Sequence, residues 1–295
     1  MDTPRTSPIR AAWPGALALV IALALVMGLT LTPSGAQASE ADEKHCRKFQ
    51  SLGLPLLRGD FSFGQHKRIC RPGYALLHNT ETKNPDWVVE LLTRKNLRGT
   101  AKRKNNFKVE PNIPGGENKR AELCNYKKSG FDRGHQAPAA DFKRDQELMN
   151  DSFYLSNMAP QVGPSFNRGI WARLEERVRD LVRSRRRLYV ITGPVYDAPD
   201  LGGPDKEFIW GTCEKEDDRS GVAVPDGFYK ILYDPRRKRA LAFLFPNARL
   251  RHRKVTEFRT FVREVEELTG LNFFPRMSRR TQNILELNVA EMWNW

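Results

Sequence analysis

Apolar positions along this chain follow two rhythms, and the rhythm changes from segment to segment. Tyr74 to His78 and Trp87 to Leu92 are short apolar runs that predict strands, with Asn79–Asp86 between them as a hairpin connection. Near Asn167 the period lengthens: Trp171, Leu174, Val178 and Leu181 recur at three- and four-residue steps, which predicts a helix from Asn167 to about Val182 with one buried face. Three further strand-like runs follow at Leu188–Thr192, Phe228–Tyr233 and Leu241–Phe245. Gly193-Pro194 closes the first and Pro225-Asp226-Gly227 precedes the second. A second helix is expected over Thr256–Leu268, with Phe258, Phe261, Val262, Val265 and Leu268 as its apolar stripe and Gly270 placed to end it. Paired strands, a helix, then strands and another helix make the fold class α+β rather than a doubly wound parallel sheet. No internal repeat or low-complexity tract interrupts the pattern.

The ends of the chain read differently. Arg5 and Arg10 precede an apolar run from about Ala16 to Leu31, and Ala36-Gln37-Ala38 supplies small residues for cleavage. The run is at the short end for a membrane span. Residues 1–38 are therefore expected to be a removable signal peptide, giving a secreted or periplasmic protein without stable membrane association. Residues 39–62 are charged and aperiodic and read as an N-terminal arm; residues 63–275 form the expected domain, and 276–295 a tail ending in Trp293-Asn294-Trp295.

Charge narrows the partners. Lys plus Arg number 49 against 35 Asp plus Glu, an excess that points to polyanions (nucleic acid, anionic membrane or acidic glycan) or serves solubility alone. Residues 98–120 are basic and hold Pro and Gly, so they read as a long loop; Arg98, Lys102, Arg103 and Lys104 crowd its start. Arg183, Arg185, Arg186 and Arg187 form a second cluster, either an extension of a basic surface or solvated cations at a helix end. The cysteines are Cys46, Cys70, Cys124 and Cys213. Their spacing lacks the close pairs of a zinc site, and an even count in an exported chain suggests disulfides. Three pairings are open; Cys46–Cys70 with Cys124–Cys213 is favoured because the first clips a short loop.

Two segments carry chemistry. In Asp132-Arg133-Gly134-His135, the imidazole titrates near neutrality and can serve as a base. In an extended stretch Arg133 and His135 share a face, and Gly134 leaves room for close approach of a substrate. The structural alternative is a histidine held by Asp132. His45, His66, His78 and His252 lack comparable company. In the predicted helix, Asn167, Trp171, Glu175 and Arg179 are spaced by four. An asparagine oxygen suits Mg²⁺. Glu175 lies about 12 Å along the axis, so it would hold metal-bound waters rather than the ion itself. Arg179 would fix Glu175 or meet phosphate. An ordinary surface helix with a Glu–Arg pair is the plain alternative.

These segments resemble the DNA/RNA non-specific endonuclease family. The resemblance rests on Asp132-Arg133-Gly134-His135, Leu155-Ser156-Asn157, Ala159-Pro160-Gln161, Asn167, Trp171 and Leu174-Glu175, and continues through Tyr189–Pro194, Val224-Pro225 and Phe228-Tyr229-Lys230. It spans about Cys70 to Gly270. A four-residue motif alone recurs by chance in roughly one in several hundred chains of this size; the ordered companions make it specific. The resemblance implies a ββα-metal (His-Me finger) nuclease fold, a central antiparallel sheet flanked by helices. It further implies Mg²⁺, with Mn²⁺ as an alternative, and DNA and RNA as partners, cut to 5′-phosphate and 3′-hydroxyl ends; a homodimer is compatible with it. His135 would activate water, Asn167 bind the metal, Glu175 order its waters, Arg133 and Arg179 stabilise phosphate charge, and Asn157 position the base or the phosphate. A further family arginine lies upstream of the hallmark, where Arg103 and Arg98 both qualify. Two other readings compete: an exported basic nucleic-acid-binding module without catalysis, and a hydrolase of small phosphodiesters.

Overall fold

The apolar runs predicted as strands all enter one antiparallel sheet. The computed structural model describes residues 40–49, 52–58, 66–113, 116–214, 220–288 and 293; the segment read as a signal peptide lies outside the described residues. The described chain opens with helix α1 (Glu40–Arg47) and strand β1 (Leu56–Leu57), then β2 (His66–Cys70), β3 (Tyr74–Asn79) and β4 (Pro85–Thr93). After a long loop come the single turn of α2 (Leu123–Tyr126), β5 (Phe131–His135), α3 (Gln146–Asp151) and β6 (Met158–Val162). Helix α4 (Ala172–Arg185) leads into β7 (Arg187–Val195), and β8 (Phe208–Ile209) pairs with β9 (Val222–Ala223). Strands β10 (Gly227–Asp234), β11 (Arg239–Pro246) and β12 (Arg259–Thr260) precede α5 (Val262–Thr269), β13 (Leu271–Asn272) and α6 (Arg279–Glu286).

The main sheet has seven strands in the order β12-β11-β10-β7-β4-β3-β2, and every neighbouring pair is antiparallel. Period-two alternation sends Val89, Ile191, Ile231 and Leu244 to one face, where they pack with Phe49, Val265, Phe273 and Leu285. The other face holds Val190, Phe228, Leu232 and Phe243 against Phe166, Trp171, Leu174 and Val178 from the α4 side. Because both faces are covered, β10 is buried along its whole length.

Two helices begin later than their periodicity predicts. Regular helix starts at Ala172, not at Asn167: residues Gly163–Trp171 wind as a wide, irregular turn with non-helical backbone at Pro164, Ser165 and Gly169. Pro164 cannot donate a helical hydrogen bond, and Ser165 has a positive φ of 64°. Likewise α5 starts at Val262, because Arg259 and Thr260 pair with Phe243 and Ala242 as an edge strand. Gly270 ends α5 in the left-handed conformation, as expected.

Both flanking segments pack onto the sheet. Phe49 and Leu52 are buried in the core, and β1 pairs with β13. Gln282 of α6 donates to the Phe274 and Met277 carbonyls, and Trp293 is buried. The disulfides are Cys46–Cys70 and Cys124–Cys213, the pairing favoured from the sequence. The first ties α1 to the sheet edge; the second ties α2 to the segment before β9.

Trp171 is the largest side chain between α4 and the sheet and is fully buried. Trp171→Ala is expected to cost about 3–5 kcal/mol, seen as a lower urea midpoint with an unchanged slope.

Candidate active site

The site is built on a two-stranded hairpin apart from the main sheet. β5 pairs with β6 so that Gly134 faces Ala159 and His135 faces Met158. A Cβ on Gly134 would lie 2.3 Å from the Gln161 side chain. The glycine is therefore required by a buried neighbour on the partner strand, not by an approaching substrate, which corrects the expectation. Asn157 stands where the hairpin's long excursion returns. Its Oδ1 accepts from the Ala137 N–H at 2.9 Å, and its Nδ2 donates to the carbonyls of Ala137 and Ser152 at 3.0 and 2.8 Å. With no exposed surface, Asn157 does not meet phosphate. It pins the backbone that follows His135.

His135 is only 8% exposed. Its ring stands edge-on to Phe153 with centroids 4.9 Å apart, and 5.7 Å from Phe107. One ring nitrogen bonds the Arg133 backbone. Nε2 is buried without a partner, so the bonded nitrogen is Nδ1, which as N–H donates to the carbonyl and leaves the Nε2 lone pair free. Burial pushes the imidazole down to about 3; the Arg103 cation adds to this and the backbone bond opposes it. Asp132 plays no part in holding His135. The Arg133 guanidinium lies 4.9 Å from the Phe107 ring centre, so Arg133 and His135 share Phe107 on one side of β5, as the alternation predicts. Of the two upstream arginines, Arg103 reaches the site: its guanidinium lies 5.0 Å from the Phe153 ring centre, its Nε donates to Asn105, and its charge acts on both His135 and Glu175.

Asp132, on the other side of β5, holds the turn before α4. The Asn167 Nδ2 donates to its Oδ2 at 2.9 Å, and Arg168 pairs with it at 3.0 Å. A Cβ on Gly163 would fall 2.5 Å from Arg168 and 2.8 Å from Asp132, so glycine is needed for this close approach. With its NH₂ facing a carboxylate, the Asn167 amide has one sensible orientation. Among the described residues no group donates to its oxygen. The wide turn also removes Asn167 from a regular helical row with Glu175, so the axial distance inferred from helix geometry does not apply.

Behind the hairpin lies a buried charged layer that the sequence did not reveal. Arg179 pairs with Asp141 at 2.9 Å and Glu176 at 2.9 Å. Glu175, four residues earlier, is not its hydrogen-bond partner; Asp141 and Glu176 are. Burial works against the Arg179 charge, but Asp141 and Glu175 outweigh it and hold it strongly protonated. Lys230 of β10 donates to Thr192 Oγ1 at 2.6 Å and lies 4.9 Å from the Trp171 ring centre. Burial pushes Glu175 up to about 7, with Lys230 and Arg179 pulling it back. Glu90 of β4 is also buried, and neither of its oxygens accepts a hydrogen bond. Burial and Asp141 raise it well above the usual carboxylate range. Glu90, Asp141, Lys230, Phe107 and Phe153 lie in ordinary apolar or loop stretches, where only spatial neighbours reveal them.

Two arginines of the cluster at the end of α4 are tied into the fold. Arg183 pairs with Glu176 and Asp180, and Arg185 pairs with Asp234 and stacks on Trp293. Among the other histidines, His66 pairs with Asp86 and His78 bonds the Lys119 carbonyl.

A hairpin ending in a buried histidine, followed by a turn that bears Asn167 and a helix that bears Glu175, is the ββα arrangement of an α+β nuclease. The sequence matches the family described as DNA/RNA non-specific endonuclease over residues 55–280, and the chain belongs to that family. It is 38% identical over 223 residues to the "Mitochondrial nuclease" of Saccharomyces cerevisiae, covering 72% of this chain and 67% of the relative. With human "Endonuclease G, mitochondrial" it shares 33% identity over 225 residues, covering 75% and 73%. The solved structure "Crystal structure of the EndoG/EndoGI complex: Mechanism of EndoG inhibition" aligns at a TM-score of 0.64 and 32% identity, covering 75% of this chain and 91% of that one. The protein is thus a nuclease acting on nucleic acids. The mitochondrial names of these relatives, and of the Schizosaccharomyces pombe nuclease, overturn the expected secreted or periplasmic location and remove the support for a signal peptide.

His135 and Glu175 give opposite pH signatures. An imidazole depressed to about 3 leaves the unfolded chain binding the extra proton, so stability falls as pH drops below the ordinary histidine range near 6.5. A carboxyl raised to about 7 makes the folded chain bind the extra proton, so stability rises as pH falls from 7 toward 4.5. Relative to the parent, His135→Gln should lose about 2 kcal/mol less stability between pH 7.5 and 5, and Glu175→Gln about 2 kcal/mol more. Urea titrations at the two pH values check both signs.

Proposed function

We propose that this protein is a Mg²⁺-dependent, sequence-non-specific endonuclease that hydrolyses phosphodiester bonds of DNA and RNA to 5′-phosphate and 3′-hydroxyl ends. The observation that carries the reading is the Nε2 lone pair of His135: buried, unpartnered and aimed by the bond from Nδ1 to the Arg133 carbonyl. An apolar enclosure keeps this imidazole unprotonated at neutral pH, the state a base requires. A phosphodiester anion beside it raises its basicity, because a nearby negative charge favours the protonated form.

The residues present fit a hydrated divalent cation. The Asn167 oxygen accepts no hydrogen bond among the described residues, and Glu175 forms no ion pair or hydrogen bond there. No group of three or more His, Cys, Asp or Glu positioned to hold a metal occurs among the described residues, which suits an ion that keeps most of its water, as Mg²⁺ does. Asn167 would hold the cation and Glu175 would accept hydrogen bonds from its waters. When bound, the ion supplies positive charge to the phosphate oxygens and to the departing 3′-oxygen.

Each remaining step belongs to this chain. His135 Nε2 takes a proton from a water whose oxygen bonds to phosphorus, the bond from phosphorus to the 3′-oxygen breaks, and that oxygen is protonated from solvent. Arg133 and Arg103 face the accumulating negative charge on phosphate. Asn157 and Arg179 act at one remove, the first fixing the backbone after His135 and the second fixing Asp141 and the helix. Bases go unread because the cations and the amide address only phosphate and metal.

Supercoiled plasmid and RNA should both be degraded with Mg²⁺ and left intact with chelator. His135→Ala should fold normally and lose at least about 100-fold in turnover. Asn167→Ala should shift the Mg²⁺ requirement upward. Intact plasmid held in a stable complex would favour the non-catalytic binding module, and cleavage of a model diester but not of polymer would favour the small-substrate hydrolase.

A further inference from the structure

The face of α4 turned away from the catalytic hairpin borders a groove of about 500 Å³ lined by Arg173, Arg177, His252, Arg253, Lys254, Val255 and Thr256. No Asp or Glu lines it. Nearby acids are already engaged: Glu176 binds Arg179 and Arg183, Asp180 binds Arg183, and Glu257 binds Arg253 and the Lys254 backbone. Arg177 and the Lys254 ammonium form no salt bridge among the described residues, and the Glu257 near Lys254 is held by Arg253. We propose that this groove is a second binding site for the phosphate backbone of a nucleic acid, separate from the catalytic centre, and that it holds the substrate strand beyond the scissile bond.

The groove is built rather than merely charged. The Arg253 guanidinium lies 5.1 Å from the Phe258 ring centre. Phe258 stacks on Phe245 at 4.4 Å, and Phe245 packs edge-on against Trp171. An aromatic column thus fixes Arg253 relative to Trp171, the residue just before α4. Arg173 donates to the Arg253 carbonyl at 3.4 Å, closing the groove across its width. His252, at a positive φ of 60°, turns the loop so that His252, Arg253 and Lys254 line one wall. Holding cations in place before binding reduces the ordering cost of taking up a polyanion.

Position decides the ligand. Arg173 is two residues before Glu175, so the two project from nearly opposite sides of one helix. A helix is about 10–12 Å across, and a strand advances roughly 3.4 Å per phosphate along a duplex axis. A backbone leaving the catalytic centre would reach the groove within a few nucleotides. An anionic membrane would also meet cations, but a concave slot between a helix and a loop suits a strand better than a bilayer surface.

The proposal rests on nucleic acid being the substrate, and the test separates the two. With chelator present to prevent cleavage, the affinity of the full chain for a duplex of about 30 base pairs is measured against salt. The double substitution Arg177→Gln with Lys254→Gln should weaken binding about three- to tenfold and make the logarithmic salt slope shallower by about 1–2. Lys238→Gln, which removes an exposed cation on the β10–β11 turn, should change neither. With Mg²⁺, the double variant should lose more activity on plasmid than on a small diester. Arg177→Gln alone repeats the measurement if the double variant has a lower thermal midpoint. An unchanged slope, an equal effect of Lys238→Gln, equal losses on both substrates, or lost binding to phosphatidylglycerol vesicles with duplex binding intact would overturn the groove. Failure of the unaltered protein to cut plasmid would instead overturn the nuclease reading and leave the chelated binding result standing.

Discussion

The ammonium of Lys230 sits in the middle of an apolar sheet face, with a threonine hydroxyl as its hydrogen-bond partner and acidic side chains around it. Burying a cation costs several kcal/mol unless opposite charge lies close by. That requirement disciplines everything stacked above it. Glu175 and Arg179 come from α4, Asp141 from the hairpin's excursion and Glu90 from β4. Each can be buried only if the others arrive, so helix, loop and sheet lock into one relative placement. A layer of leucines would have packed with more tolerance for sliding. The charged layer sacrifices some of that ease for a fixed carboxylate behind the β5–β6 hairpin.

The hairpin solves the complementary problem of holding a lone pair free in a dry place. His135 is anchored by its own strand, walled by Phe107 and Phe153, and followed by backbone that the Asn157 side chain secures with two hydrogen bonds, a third tying it to the Ser152 carbonyl. The two sides of the short strand β5 do different work. Arg133 and His135 serve the aromatic side, while Asp132 reaches across to hold Asn167 and Arg168. The strand therefore couples His135 to the turn that carries Asn167, the proposed metal residue.

Much of this was legible in the sequence because it depended on local periodicity. The strands around Leu76, Val89, Ile191, Ile231 and Phe243 announce themselves by apolar runs, and Trp171, Leu174 and Val178 by helical spacing. The order of Asp132-Arg133-Gly134-His135, Asn157, Asn167 and Glu175 identified the family. The partners that residues choose across the fold could not be read this way. Spacing by four suggested that Arg179 would meet Glu175, whereas Asp141 from a distant loop wins it. Gly134 looked like room for substrate and proved to be room for Gln161. The helix start failed because Pro164 and Ser165 bend the backbone where apolar spacing still looks helical. Export failed because an apolar, small-residue leader is an address, and relatives outweigh the reading of its composition.

Chain order gives the buried cation one more consequence. A polypeptide emerging from the ribosome presents Glu90, Asp141, Glu175 and Arg179 well before β10 delivers Lys230, and β7 cannot be enclosed until β10 exists to pair with it. Until then three acidic groups compete for one arginine and the helix has no fixed seat. The nascent chain thus carries the whole stretch from Asp132 to Arg179 before it carries the means to hold it in place, so the buried layer is postponed until most of the message has been translated.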